Sequence, residues 1–120
     1  MSSDLYHWDV CGEEISFNSH EGPNVFEFGG SRWMITDEWN GLGVYKTEDF
    51  TNWERNGVIL RDGGSRPCDG VMANHADVVV SGENAYRACI QVAKLDTDGK
   101  TLTCDRDAEF ELVLLPGESN

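Results

Sequence analysis

The chain has 120 residues, with nine basic and 22 acidic side chains and a formal net charge of −13. That balance argues against nucleic acid or an anionic membrane, both of which want clustered Lys and Arg. It permits a neutral or cationic ligand, sugars being neutral, and acidic residues that only keep the surface soluble account for it at least as well.

At this length one domain with a modest core is expected. No apolar run approaches the roughly 18 residues of a membrane span. The N-terminus has no charged stretch followed by an apolar one, so no secretory signal is expected; location stays open, with the cytoplasm as default. Cys11, Cys68, Cys89 and Cys104 lack C-x-x-C or zinc-ligand spacing. Their even number allows disulfides, but without an export signal they are read as reduced thiols.

In chain order, the first element is SSDLYHWDVCGEEI, residues 2–15, which is written again as TEDFTNWERNGVIL at residues 47–60. Asp4, Leu5, Trp8 and Gly12 are answered by Asp49, Phe50, Trp53 and Gly57, an offset of 45 residues (53 − 8). A period of this size, with strand-like sequence between the copies, fits a propeller blade of four antiparallel strands. Residues 24–28 and 32–36 read as two strands, with Gly29-Gly30-Ser31 as their hairpin loop. Asn40-Gly41 signals a second turn before a third strand at 42–46, and 53–60 is the fourth and outermost strand. Residues 61–70, RDGGSRPCDG, form a crossing loop. The pattern restarts at 77–80, turns at 81–84 and again at 96–100, and ends in a strand at 109–115. Tyr86 stands where Trp33 stood, but Val92 follows it by only 6 residues (92 − 86), against 11 from Trp33 to Val44 (44 − 33). Residues 86–95 are therefore expected as one longer strand, or two broken at Arg87-Ala88, with a piece of the repeat missing.

No sustained 3.6-residue apolar stripe is present, so almost no helix is expected. The fold class is all-β: an incomplete β-propeller of antiparallel four-stranded blades. Residues 1–19 end one blade with an N-terminal strand, 20–60 form one blade, 61–75 connect, and 76–120 form a shortened neighbour. Trp8, Trp33 and Trp53, at repeat positions, are assigned to the core. Exposed blade faces imply self-association.

The sharpest local feature is His20-Glu21-Gly22-Pro23-Asn24-Val25-Phe26, a carboxylate before a rigid turn and an apolar strand. In a propeller the inner strands begin at the central channel, where ligands bind. Glu21 is read either as a general acid there or as a solvated residue beside a Gly-Pro bend.

EGPNVFEFGGSRWMITDEWNGLGVYKTEDFTNW resembles the third blade of five-bladed β-propeller glycosidases related to glycoside hydrolase family 43. The repeated S-x-D-L-x-x-W resembles their recurrent blade ending, and SRPCDGVMANHADVVVSGENAY the entry into their fourth blade. The resemblance implies hydrolysis of O-glycosidic bonds with inversion, a carbohydrate partner, and Glu21 as the catalytic acid. It implies that His75 lines the channel, where such enzymes often carry a His, sometimes beside a metal; the plainer reading is a hydrogen-bonded linker. Asp37 and Trp39 fall where a loop at the channel mouth would contact sugar, Trp39 by stacking on a pyranose face or else by packing between blades. Asp77 faces the channel or caps its strand. No cofactor and no metal ligand set are expected.

In that family the water-activating base comes from the first blade and a third carboxylate from the second, and neither maps onto this chain. Three readings follow: a glycosidase by lineage that is inactive as this chain, a non-catalytic carbohydrate-binding or interaction module, and a truncated gene product without its own function.

Overall fold

The computed structural model describes residues 2–13, 15–16, 18–66, 69–81, 84–88 and 93–111. Among these the elements are β1 (Glu21–Phe28), β2 (Ser31–Asp37), β3 (Leu42–Thr47), β4 (Glu54–Ile59), β5 (Asp77–Ser81), β6 (Asn84–Ala88), β7 (Lys94–Thr97) and β8 (Leu102–Asp105). They form two antiparallel four-stranded sheets, each a meander in chain order. The described residues contain no helix, and no helix is long and apolar enough to cross a membrane. The all-β expectation holds.

Gly29 and Gly30, at φ +59° and +71°, make the two-residue turn that pairs Phe28 with Ser31. Both positions need positive φ, which glycine supplies without a steric cost. Alternation then sorts the first sheet. Phe26, Phe28, Trp33, Ile35, Leu42, Val44 and Ile59 join Leu95 and Leu102 in one core. This core lies where β1 meets β5 and β4 meets β8. Trp33 and Leu95 are fully buried, and the Trp33 indole donates to the Phe28 carbonyl at 3.0 Å. Burying side chains of this size contributes about 1.5–3 kcal/mol each. On the other face Met34 and Tyr45 form a smaller cluster with Ile15, and Trp53 packs against it.

The loop after β4 is pinned rather than loose. Ala73 N donates to Leu60 O at 2.9 Å, and Gly64 N to Asp69 O at 2.6 Å. The Asp69 carboxylate is completely buried and lies 3.2 Å from Arg66 Nη2 and 2.8 Å from Arg106 Nη2. Arg106 Nη1 also donates to the Asp62 and Val71 carbonyls at 2.7 Å each. Asp107 accepts from Ser65 N and Oγ at 2.8 and 2.9 Å. The turn after β8 thus holds the loop that leads from the first sheet to the second.

The duplicated sequence folds alike at its turns. Leu5 N donates to Ser2 Oγ at 2.8 Å and Phe50 N to Thr47 Oγ1 at 3.0 Å. Asp4 Oδ1 accepts from Tyr6 N and His7 N, and Asp49 Oδ1 from Thr51 N and Asn52 N. Leu5 and Phe50 sit at φ +66° and +61°, and Gly12 and Gly57 at +157° and +148°. The hydrogen bonds of His7 to Asp4, and of Asn52 and Thr51 to Asp49, head the causes that hold both carboxyls well below the usual range.

Other expectations are corrected. Residues 2–13, 15–16 and 18–20 contain no strand, although the second copy becomes β4. A strand needs a neighbour, which β3 gives to β4 through pairs such as Leu42 with Ile59. For the same reason Trp8 is 69% exposed, not core, and Leu5, Tyr6 and Val10 are exposed beside it. Trp33 and Trp53 pack as expected. The second sheet lacks no strand: β6 ends at Ala88, β7 begins at Lys94, and two short pairs join them. Its outer strand is β8, not 109–115; residues 109–111 are not in a strand, and 112–115 lie outside the described residues. Asp96 and Thr97 belong to β7, so the turn begins later than expected. Gly82, Glu83, Cys68, Cys89 and Val92 also lie outside the described residues.

Candidate functional site

Three of the candidate side chains meet at one end of β1. Glu21 is its first residue and pairs across the sheet with Asp37, the last residue of β2. From Glu21 to Asn24 the strand advances three residues while β2 advances two, from Asp37 to Ile35. The extra residue is a bulge over Gly22-Pro23, and such a bulge re-aims the side chain beside it. Gly22 stands at φ +56°, and a Cβ there would lie 3.1 Å from the His75 ring. Glycine is favoured at this point both by conformation and by the approach of the imidazole.

His75 ends the pinned loop just before β5. Its Nε2 lies 3.0 Å from Glu21 Oε1 and 3.8 Å from Asp37 Oδ2. In the tautomer with hydrogen on Nε2, the imidazole donates to Glu21 Oε1. Asp37 is buried, with its side chain 3% exposed, while Glu21 and His75 are half open to solvent at 50% and 63%. Asp37 Oδ1 accepts from Trp39 N at 2.7 Å. Trp39 is held at φ +54°, a conformation rare for a bulky residue, with its indole half exposed. The carboxylate that completes the cluster therefore also fixes the backbone carrying the aromatic ring.

Asp77 has another role. Its Oδ1 accepts from Asn24 Nδ2 at 2.7 Å and from Val78 N at 3.0 Å, joining β1 to the first residue of β5. Asn24 was not expected in the site, and its position three residues after Glu21 was the only available signal.

A second polar network lies behind the first. Glu38 follows Asp37 and reaches the opposite side of the sheet. It takes Arg55 Nη2 at 2.7 Å, the Tyr45 hydroxyl, and Asn18 Nδ2 at 3.4 Å. Gly43 makes room, because a Cβ there would fall 2.2 Å from Glu38 Oε1. Burial pushes the Glu38 carboxyl up, but the hydrogen bonds from Arg55 and Tyr45 outweigh it and hold the group below its ordinary value. Burial, and then Glu38, push the Tyr45 hydroxyl up.

The sign of the resulting pH dependence follows. A carboxyl depressed by folding stabilises the protein above its unfolded value, and that stability is lost as pH falls through the folded value. Glu38→Gln is expected to cost about 1–3 kcal/mol at neutral pH, because Arg55 loses its charged partner and one of the two oxygens that serve Arg55 and Tyr45 becomes an NH2 donor. The gap from wild type should narrow below about pH 4, near the unfolded glutamate value. Urea titrations of both proteins from pH 7 to pH 3 measure it; a gap independent of pH would mean that the charge of Glu38 contributes nothing.

No protein-family model matches the chain, and no curated protein matches it.

Proposed function

We propose that this chain is a glycoside-hydrolase-like protein of propeller type, related by lineage to the family 43 glycosidases, that binds sugar without turning it over by itself. On this reading the two sheets are neighbouring blades and the N-terminal end of β1 faces the channel. Glu21 is the inherited proton donor, oriented by His75. Trp39 is the stacking platform, held in place through Asp37. The observation that carries the reading is the meeting of Glu21 and His75, 54 residues apart, at 3.0 Å beside a buried carboxylate. The matching geometry of the two turns supports the repeat on which the propeller assignment rests.

The same geometry argues against turnover by this chain. Inversion needs a base about 6.5–9.5 Å from the acid, with room for water and the sugar between them. The ligand oxygens of Glu21 and Asp37 lie within 4.8 Å of each other, too close for that role. Asp77 is committed to Asn24 and to its own strand. Hydrolysis of aryl arabinosides and xylosides is therefore expected at background, while millimolar binding of the free sugars should weaken at least fivefold in Trp39→Ala. Turnover that disappears in Glu21→Gln would overturn the inactivity. Sugar binding that is absent, or unchanged in Trp39→Ala, would overturn the stacking role.

A further inference from the structure

The geometry points to a binding site for a divalent first-row transition ion, zinc being the representative, formed by Glu21, Asp37 and His75. One imidazole nitrogen and two carboxylate oxygens lie within 4.8 Å of one another. Two of their separations, 3.0 and 3.8 Å from His75 Nε2, bracket the roughly 3.4 Å between neighbouring ligands of a tetrahedral zinc. A small rotation of the half-exposed Glu21 or His75 would bring all three onto one ion and leave a position open to solvent or ligand.

Two further observations carry the assignment. Asp37 Oδ2 belongs to a side chain only 3% exposed and faces His75, yet at 3.8 Å it is beyond hydrogen-bond reach, while its sister oxygen is held by Trp39 N. An oxygen of a nearly buried carboxylate that faces only an imidazole at ion-pair distance is poorly compensated, and a cation would supply the missing compensation. The ligands also come from three rigid places: a bulged strand start, a strand end, and a pinned loop seated on Gly22. Such a framework lowers the ordering cost of binding. The nitrogen ligand favours zinc or its neighbours over calcium and magnesium, which prefer all-oxygen shells.

The site uses the residues of the sugar-binding reading but does not depend on it. With an ion bound, Glu21 is a ligand and cannot donate a proton.

Calorimetry of the full chain, freed of metal by chelation, tests this with zinc chloride as titrant and calcium chloride as the comparison. One zinc per chain is expected, bound at least tenfold more tightly than calcium. Glu21→Gln and His75→Gln, each checked for an unchanged far-ultraviolet spectrum, should each weaken it at least tenfold. His7→Gln, which removes a distant imidazole near Asp4, should leave it unchanged. Absence of stoichiometric zinc, equal affinity in both site variants, tighter calcium, or loss in His7→Gln would each overturn the assignment. Sugar binding is measured separately in chelator, so failure of one reading is distinguishable from failure of the other.

Discussion

Asp69→Ala is expected to lower the free energy of unfolding by about 3–5 kcal/mol, the range for removing one partner of a buried ion pair. The side chain is completely buried, and the Arg106 guanidinium opposite it is only 11% exposed. The contact at 2.8 Å is charge pairing whose angles fall short of a hydrogen bond, so the Coulomb attraction carries it. Arg66 is more open, at 39%, and adds less. Without Asp69, Arg106 still reaches the Asp62 and Val71 carbonyls and feels the more exposed Asp107, but it loses its buried counter-ion. Gly64 has no side chain to fill the space, since a Cβ there would already meet Asp69 Oδ2 at 2.3 Å. Urea unfolding followed by tryptophan fluorescence measures the loss. A change under 1 kcal/mol would show that the loop does not couple the two sheets.

Gly22→Ala is expected to uncouple the site from the fold. The φ of +56° costs a β-carbon about 1–2 kcal/mol, a modest loss of stability. The new methyl would also stand 3.1 Å from His75 Cδ2, so the ring must give way. The 3.0 Å contact with Glu21 then opens, and zinc affinity should fall at least tenfold. Gly30→Ala is the control. Its φ is +71°, but nothing lies within 4 Å of the added carbon, so it should cost similar stability and leave the site intact. Imidazole NMR of His75 in both variants reads the ring directly. An unmoved His75 signal in Gly22→Ala would refute the close-approach argument.

Much of the first sheet was legible because strand alternation and turn chemistry are local. Gly29-Gly30 and Asn40-Gly41 marked turns by residue type, and Trp33 lies in the core as expected, where strand alternation also brings Ile35 and Val44. The second sheet was harder. β8 is four residues long, and its alternation, with Leu102 in and Thr103 out, was too short to stand against the apolar run that follows. Glu21, Asp37 and His75 were each singled out for separate reasons, but nothing in their spacing said that they would share one point. Glu38 and Asp69 were missed because an acidic residue in a polar stretch has no sequence mark of burial.

The duplicated segment divides what the sequence determined from what tertiary structure decided. Both copies make the same turn, with φ of +66° and +61° at Leu5 and Phe50, because its hydrogen bonds span at most three residues. Any chain carrying that order of residues holds the donors and acceptors the turn needs. Among the described residues only the second copy continues as a strand, since β3 lies beside it, and only there is the tryptophan packed. The site follows the second rule. Asn24 reaches Asp77 across 53 residues, and Glu21 reaches His75 across 54. Contacts over such distances exist only after two sheets have stacked, because the apolar area buried between the sheets supplies the free energy that holds their polar ends together.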